Sequence, residues 1–415
     1  LLHQFDLVLN DDQVHPRFVT RRTAMKLARR TADLGTESAF EWAARARALE
    51  ASGRTILHLE LGEPDFATPS HVRAAAFRAL EAGATHYAPY PGIPELRRAI
   101  AEDAGRRRGI EIDPAQVFVT VGGKAVILYA MLALVEPGDD VVVPDPGYPI
   151  YASVARFLGA RPVPWPTRGP ADWRLDLDAL EGQLSPRTRL LVLNSPSNPT
   201  GVVLTEAELA AIADLARRRD LVVLADEIYA RITYDGVAAA SIASLPEMAE
   251  RTIILDGFSK TYAMTGWRLG YAIVPVALQA VFGALIINSV SCAPTFVQWA
   301  AIEALQGPQE PVAAMVAEFA ARRDLIVDGL NRIPGLRCPR PEGAFYAFPD
   351  VTGSGLDGAT FAERLLEEAG VCLLPGTAFG ERARSQVRLS YAASRTELEA
   401  ALERIAWFVG RVRAE

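Results

Sequence analysis

Cysteine and histidine are scarce in this 415-residue sequence, which has three of the first and five of the second. Cys292, Cys338 and Cys372 are odd in number, far apart and set in apolar sequence without CxxC spacing. That excludes a disulfide framework and favours reduced, buried thiols. His3, His15, His58, His71 and His86 lack the spacing of metal ligands, so no metal site is expected. Long apolar runs are missing: the longest, Ala125 to Val135, is eleven residues, short of the ~20 a membrane-spanning helix needs. No membrane partner is therefore expected. An excess of positive charge is missing as well. The 43 Lys and Arg against 50 Asp and Glu leave a net charge of −7, which excludes the broad basic surface of a nucleic-acid binder. Any anion site must be local. The N-terminal stretch carries acidic residues where a signal peptide has its cationic and apolar parts, so a cytoplasmic location is expected.

What is present is the composition of an ordinary soluble globular protein, 50% hydrophobic and 22% charged. Residues 1–24 read as a weakly patterned arm. Either Met25 is the natural start, or the arm packs on a neighbouring subunit. Ser38–Ala51 is helical and leads into the β-patterned Thr55–Leu61 and the turn GEPDF. Short Val/Leu/Ile runs then alternate with helices: Val117–Val121, Asp140–Pro144, Leu190–Leu193, Leu221–Leu224, Thr252–Leu255 and Leu269–Val274. This rhythm predicts an α/β fold whose mainly parallel sheet is covered on both faces. Functional residues should gather beyond the carboxyl ends of its strands. Past Ile302 the texture changes to a long helix (Pro311–Ile333), a strand-rich piece (Arg337–Pro349), an amphipathic helix (Ala359–Ala369), short strands and a final helix. The chain thus divides into an N-terminal arm (1–35), a first part of a small domain (36–70), a large domain (71–302) and the C-terminal part of the small α+β domain (303–415).

Several residues at strand ends can carry chemistry. Lys260 follows Gly257–Phe258–Ser259 after the strand TIILD, where a cation is partly desolvated and an amine becomes nucleophilic towards an aldehyde; by itself such a lysine is as well explained by a salt bridge. Asp226, closing the strand LVVLA, either caps the next helix or holds the protonated ring nitrogen of a pyridinium cofactor. Tyr229, in DEIY, lies on the same loop, within reach of that cofactor's ring oxygen. Asn198, in SPSNPTG, is a turn former, yet two X-Pro bonds make a rigid loop that aims its amide at a fixed point. Gly122 and Gly123 join a strand to an apolar helix, which makes either a tight turn or an anion site at the helix N-terminus. Ser259 and Arg268 are placed to complete a phosphate cradle, arginine being suited to bidentate oxyanion contacts. Arg388, inside the run QVRLSYA, either pairs with an internal acid or clamps a substrate carboxylate.

Together, SPSNPTG, DEIY, FSKTYAMTGWRLGY and VRLSYA, in this order, resemble the aspartate aminotransferase family of class I, fold type I, pyridoxal-phosphate enzymes from about Met25 onward. The resemblance implies a seven-stranded, mainly parallel sheet and pyridoxal 5′-phosphate as cofactor. It makes Lys260 the Schiff-base lysine, Asp226 the pyridinium partner, and Tyr229 and Asn198 the hydrogen-bond partners of the ring oxygen. Gly122, Gly123, Ser259 and Arg268 match the phosphate-binding positions, and Tyr148 the aromatic that stacks on the ring. Tyr87 matches a tyrosine that reaches the phosphate in the neighbouring subunit, which implies a homodimer with shared sites. Arg388, assisted by Asn198 and the backbone of Gly62, would bind the substrate α-carboxylate. Lys124 is similar to a lysine that meets a distal carboxylate in bacterial aspartate/prephenate aminotransferases. The implied reaction is transamination between an acidic, aspartate-like L-amino acid and 2-oxoglutarate or oxaloacetate. GGKAV in place of GGKQA, and Tyr148 where that subgroup often has Trp, leave an aromatic or neutral donor open. The same catalytic residues also serve β-elimination, cyclisation or oxidation. A DNA-binding regulator on this fold is disfavoured, because about 35 residues ahead of the core are too few for a winged helix.

Overall fold

A computed structural model gives the structure of the chain and describes residues 26–35 and 38–415. The arm over residues 1–24 and the alternative start at Met25 lie outside the described residues. In chain order the elements are α1 (Ser38–Ala51), β1 (Leu57–His58), α2 (Ser70–Glu81), α3 (Pro94–Arg108), β2 (Val117–Thr120), α4 (Gly123–Leu134), β3 (Asp140–Asp145), α5 (Ile150–Phe157), β4 (Arg161–Pro166), α6 (Leu177–Gln183), β5 (Thr188–Asn194) and α7 (Glu206–Arg218). There follow β6 (Val222–Asp226), β7 (Thr252–Gly257), β8 (Gly270–Ile273), α8 (Gln279–Ser289), α9 (Thr295–Gln306), α10 (Glu310–Arg332), β9 (Tyr346–Ala347), α11 (Gly358–Arg364), β10 (Val371–Cys372), β11 (Leu374–Pro375), β12 (Val387–Ser390) and α12 (Arg395–Val412).

Seven strands form one sheet in the order β2-β8-β7-β6-β5-β3-β4, parallel except for β8, which runs against both of its neighbours. Successive side chains of a strand point to opposite faces, and here both faces are dry. Val117 and Val119 of β2 and Ile254 of β7 pack with α2, α3 and α9, while Phe118, Ile253 and Leu255 pack with α4, α5 and α8. This double burial is why the strands are unbroken apolar runs. β4 was absent from the sequence reading. Its sequence RPVPWP looks like a proline-rich loop, but Pro162, Pro164 and Pro166 alternate on an edge strand. Their missing N–H groups all fall on one side, where no partner strand needs them.

The remaining strands lie outside this sheet. β1 pairs in parallel with β10, and β11, β12 and β9 form a small antiparallel sheet. The strand-rich piece expected over Arg337–Pro349 is mostly irregular, with β9 and a single bridge from Arg337 to Asp350; Pro339, Pro341 and Gly343 interrupt it. Leu59, Phe319, Phe345, Tyr391 and Phe408 share one core, so the segment after β1 is packed with residues more than two hundred positions away. Capping boxes at Thr205/Glu208 and Ser394/Glu397 start α7 and α12. Cys338 and Cys372 are buried, whereas Cys292 is only half-buried, against the expectation of three buried thiols. Among the described residues no helix is long and apolar enough to cross a membrane.

Phe319 is fully buried, stacks on Phe345 at 5.1 Å and meets Phe66 and Tyr391 edge-on at 5.3 and 6.4 Å. Phe319→Ala should cost ~3–5 kcal/mol through the cavity it leaves, seen as a lower urea midpoint of unfolding.

Candidate active site

The carboxyl ends of the parallel strands meet on one side of the sheet. β2 delivers Gly122 and Gly123, β5 delivers Asn194 and the SPSNPTG turn, β6 delivers Asp226, and β7 delivers Ser259 and Lys260. Because β8 returns antiparallel, its first residue, Gly270, pairs with Gly257 at the end of β7 and with Thr120 at the end of β2. The loop between β7 and β8, which carries Ser259, Lys260 and Arg268, is thereby folded over the strand ends.

Glycine is required where these backbones touch. A Cβ on Gly270 would stand 2.8 Å from the amide nitrogen of Gly123, and one on Gly257 would stand 2.9 Å from the Cα of Gly270. Gly122 has a φ of 76°, and the Arg268 guanidinium occupies the space that its Cβ would take. Arg268 itself sits in the left-handed region at φ 55°, with Nη1 donating to Thr265 O at 3.0 Å. The turn, the first amides of α4 and a guanidinium thus form a local anion cradle in an acidic protein.

Asp226 is buried, accepting from Tyr151 Oη at 2.7 Å and from the Ile228 amide at 3.2 Å. Burial pushes its carboxyl up to about 6, against the Tyr151 hydrogen bond, which favours the ionised form. Asn194, at the end of β5, donates to Asp226 O at 3.2 Å and accepts the Asn198 amide at 2.8 Å, tying the two loops together. The Ser195–Pro196 and Asn198–Pro199 bonds are both cis.

Lys260 and Arg388 converge on one turn. Lys260 Nζ donates to Gly62 O and lies 5.9 Å from the centre of the Phe345 ring. Arg388 is buried, donates to Glu60 O, and donates through Nη1 to Asn198 Oδ1 at 3.2 Å. Its guanidinium lies between the rings of Tyr346 and Phe379, 4.5 and 4.9 Å from their centres. A Cβ on Gly62 would overlap the Tyr346 hydroxyl. That hydroxyl is hydrogen-bonded to Tyr229 Oη at 2.7 Å. Tyr148 meets Tyr151 edge-on at 5.7 Å. Lys124, one residue past the glycine pair, is exposed, with Nζ 5.8 Å from the centre of the Phe40 ring in α1. Tyr87 is 90% exposed on the loop between α2 and α3.

Residues 54–405 match the model of the family described as aminotransferase class I and II. The chain belongs to this family. It is an aminotransferase of a pyridoxal-phosphate-dependent class. It is 42% identical to an aromatic-amino-acid aminotransferase of Thermococcus litoralis over 84% of this chain and 90% of that one. Identity to an aspartate/prephenate aminotransferase of Cereibacter sphaeroides is 41%, over 88% and 94% of the two chains. The solved aspartate aminotransferase of Thermus thermophilus with maleate superposes with a TM-score of 0.88 at 40% identity, covering 94% of this chain and all of that one.

Three polar residues that the structure places against Asp226 and Tyr229 carry no clear mark in the sequence. Tyr151 lies one helical turn past Tyr148, and its hydroxyl, not that of Tyr148, meets Asp226. The i, i+3 spacing in GYPIY was the available signal. Asn194 follows the apolar run Leu190–Leu193 and reads as the start of the turn, whereas it is the last residue of β5. Tyr346, in GAFYAF, reads as one of a run of core aromatics, and nothing local marks its hydroxyl.

An aspartate whose folded-state pKa is raised from the ordinary carboxylate range to about 6 stabilises the fold below the unfolded value, and that contribution is lost as pH rises through 6. In the cofactor-free aminotransferase, Asp226→Asn should therefore be the more stable form above pH 6, by up to about 3 kcal/mol. The gap should close below about pH 4, as read from denaturant unfolding at each pH.

Proposed function

We propose that this aminotransferase uses pyridoxal 5′-phosphate to move the amino group of an acidic, aspartate-like L-amino acid to a 2-oxo acid such as 2-oxoglutarate or oxaloacetate. The observation that carries the reading is the convergence of Lys260, Arg388 and Asn198 at the Glu60–Gly62 turn, beside the strand end that bears the buried Asp226. The residues suit the cofactor. The bare Gly122 turn under the Arg268 guanidinium is a cradle for a phosphate, and a buried carboxylate is the partner a protonated ring nitrogen needs. Gly122, Gly123, Ser259 and Arg268 would hold the phosphate, Asp226 the ring nitrogen, Tyr229 and Asn198 the ring oxygen, and Tyr148 the ring face. When bound there, the cofactor supplies an electron sink for the bond broken at the substrate Cα.

The protein's own groups do the rest. Arg388, with Asn198 and the Gly62 backbone, binds the α-carboxylate and so fixes which Cα bond faces Lys260. Lys260 Nζ would accept and hold the proton released at the substrate Cα, and the Asp226 carboxylate would stabilise positive charge at the ring nitrogen. The hydroxyls of Tyr229 and Tyr346 are paired at 2.7 Å, and both residues are buried. Lys124 supports a dicarboxylic donor; the similar Thermus thermophilus enzyme was solved with maleate. Aromatic donors are the second reading, favoured by the Phe40 ring beside Lys124 and by the similar aromatic-amino-acid enzyme of Thermococcus litoralis. The exposed Tyr87 supports a homodimer in which it reaches the other subunit's phosphate site, and three free cysteines support work in the reducing cytoplasm.

Lys260→Ala should abolish transamination together with the visible absorbance that the protein gains with pyridoxal phosphate; retained turnover overturns the assignment. In a panel of donors assayed against 2-oxoglutarate, Lys124→Ala should raise KM for aspartate by roughly tenfold, the loss of one charge-assisted contact, and leave aromatic donors nearly unchanged. Ammonia release without a 2-oxo acid acceptor would point instead to elimination.

A further inference from the structure

Behind the strand ends that bear Asp226 and Lys260 lies a set of buried charges that the reaction above does not use. α3 ends in Arg107 and Arg108. The Arg108 side chain is 3% exposed, and its Nε and Nη2 lie 2.8 and 2.6 Å from Glu227 Oε2. Nη2 also donates to Asp256 Oδ2 at 3.1 Å. The same Asp256 oxygen accepts from Arg107 Nη2 and from Tyr271 Oη, both at 2.9 Å, and Arg107 Nε donates to Asp103 at 3.0 Å. Asp256 Oδ1 takes the Gly257 amide at 2.7 Å, and Ser241 Oγ donates to the other oxygen of Glu227 at 2.5 Å.

The placement of the two carboxylates matters. Glu227 directly follows Asp226 at the end of β6, and Asp256 stands four residues before Lys260 in the adjacent strand β7. Arg108 therefore clamps together the two backbone segments that present the ring-nitrogen partner and the reacting amine. Burying such charges adds little net stability over an apolar packing of the same volume, so stability alone does not account for the cluster. The groups acting on Asp226 come from every side: Tyr151 of α5 and the Ile228 amide favour its charge, while Asp256 and Glu227 oppose it. Burial opposes the charge on Arg108, as does Arg107, while Glu227, Asp256 and Tyr271 favour it.

Resting on the assignment of Asp226 above, we propose that Arg108 is a positioning residue for transamination: by bridging Glu227 and Asp256 it holds Asp226 and the Lys260 loop in one frame, and it cancels the negative charge that would otherwise drive Asp226 to its protonated form. Arg108 does this through its neighbours, as a guanidinium fork that meets two carboxylates at once.

The test is binding of pyridoxal 5′-phosphate to the cofactor-free protein, followed by intrinsic fluorescence over about pH 5 to 8. Arg108→Met should move the acid-side midpoint of binding up by about one pH unit and weaken binding at pH 6 about fivefold. Asp256→Asn should move the midpoint down, since it removes a charge that opposes ionisation of Asp226. Both effects should vanish in an Asp226→Ala background, and Arg108→Lys should return the midpoint towards that of the wild type. Opposite signs from two members of one cluster are not produced by loosened packing. Equal weakening with and without Asp226, or midpoints that stay in place, overturns the proposal. If Arg108→Met does not fold, Asp256→Asn decides: a midpoint that stays or rises overturns it. If wild-type protein does not bind the cofactor, or Asp226→Ala binds it as tightly as wild type, it is the assignment of Asp226 that fails.

Discussion

Two backbone carbonyls, those of Glu60 and Gly62, tie the site together. Arg388 reaches the first from β12 and Lys260 reaches the second from the loop after β7. These cations come from chain positions 128 residues apart and are brought together by a turn that follows β1. The turn is itself held by the parallel pairing of β1 with β10 and by Leu59 in the core that α10 and α12 share. Carbonyl oxygens suit the task, since they accept hydrogen bonds from cations without neutralising them, and so leave the charge available to an anionic ligand. The Tyr346 hydroxyl lies where a side chain at position 62 would stand, so the turn has room for glycine alone.

The second constraint is electrostatic. An acidic protein gathers Lys124, Lys260, Arg268 and Arg388 at one end of its sheet, while behind that end Arg107 and Arg108 face Asp103, Glu227 and Asp256. Low polarizability in the interior makes each of these interactions stronger than at the surface and makes an unbalanced charge costly. Asp226 sits at the junction of the two sets. Burial pushes its carboxyl up to about 6, with the Tyr151 hydroxyl and the Ile228 amide favouring its charge and Asp256 and Glu227 opposing it. The residues that meet at the Glu60–Gly62 turn and the buried charges behind the strand ends are different sets, joined through the neighbouring strands β6 and β7.

Much of this was legible in the sequence for a physical reason. Strands buried on both faces must be apolar throughout, so β2, β3, β5, β6, β7 and β8 stand out as runs, and the residues that follow them stand out by contrast. The site candidates Gly122, Asn198, Asp226 and Lys260 were found because they break those runs at strand ends. β4 was hidden because an edge strand tolerates prolines that a central strand does not. Tyr151, Asn194 and Tyr346 were hidden because a buried tyrosine or a strand-end asparagine carries no local sign of where its polar atom points.

By itself, the sequence determined the alternation of helix and strand, the strand-end positions of the reactive groups and the need for a local anion site, since these follow from periodicity, turn chemistry and net charge. Only the tertiary structure decided which groups meet. That Tyr151 and not Tyr148 bonds to Asp226, that Arg388 and Lys260 share one turn, and that Arg108 spans Glu227 and Asp256 are contacts between residues from 75 to 328 positions apart. Hydrogen bonds and ion pairs depend on direction and distance over a few ångströms, and those quantities exist only once the sheet order has set which strand ends are neighbours.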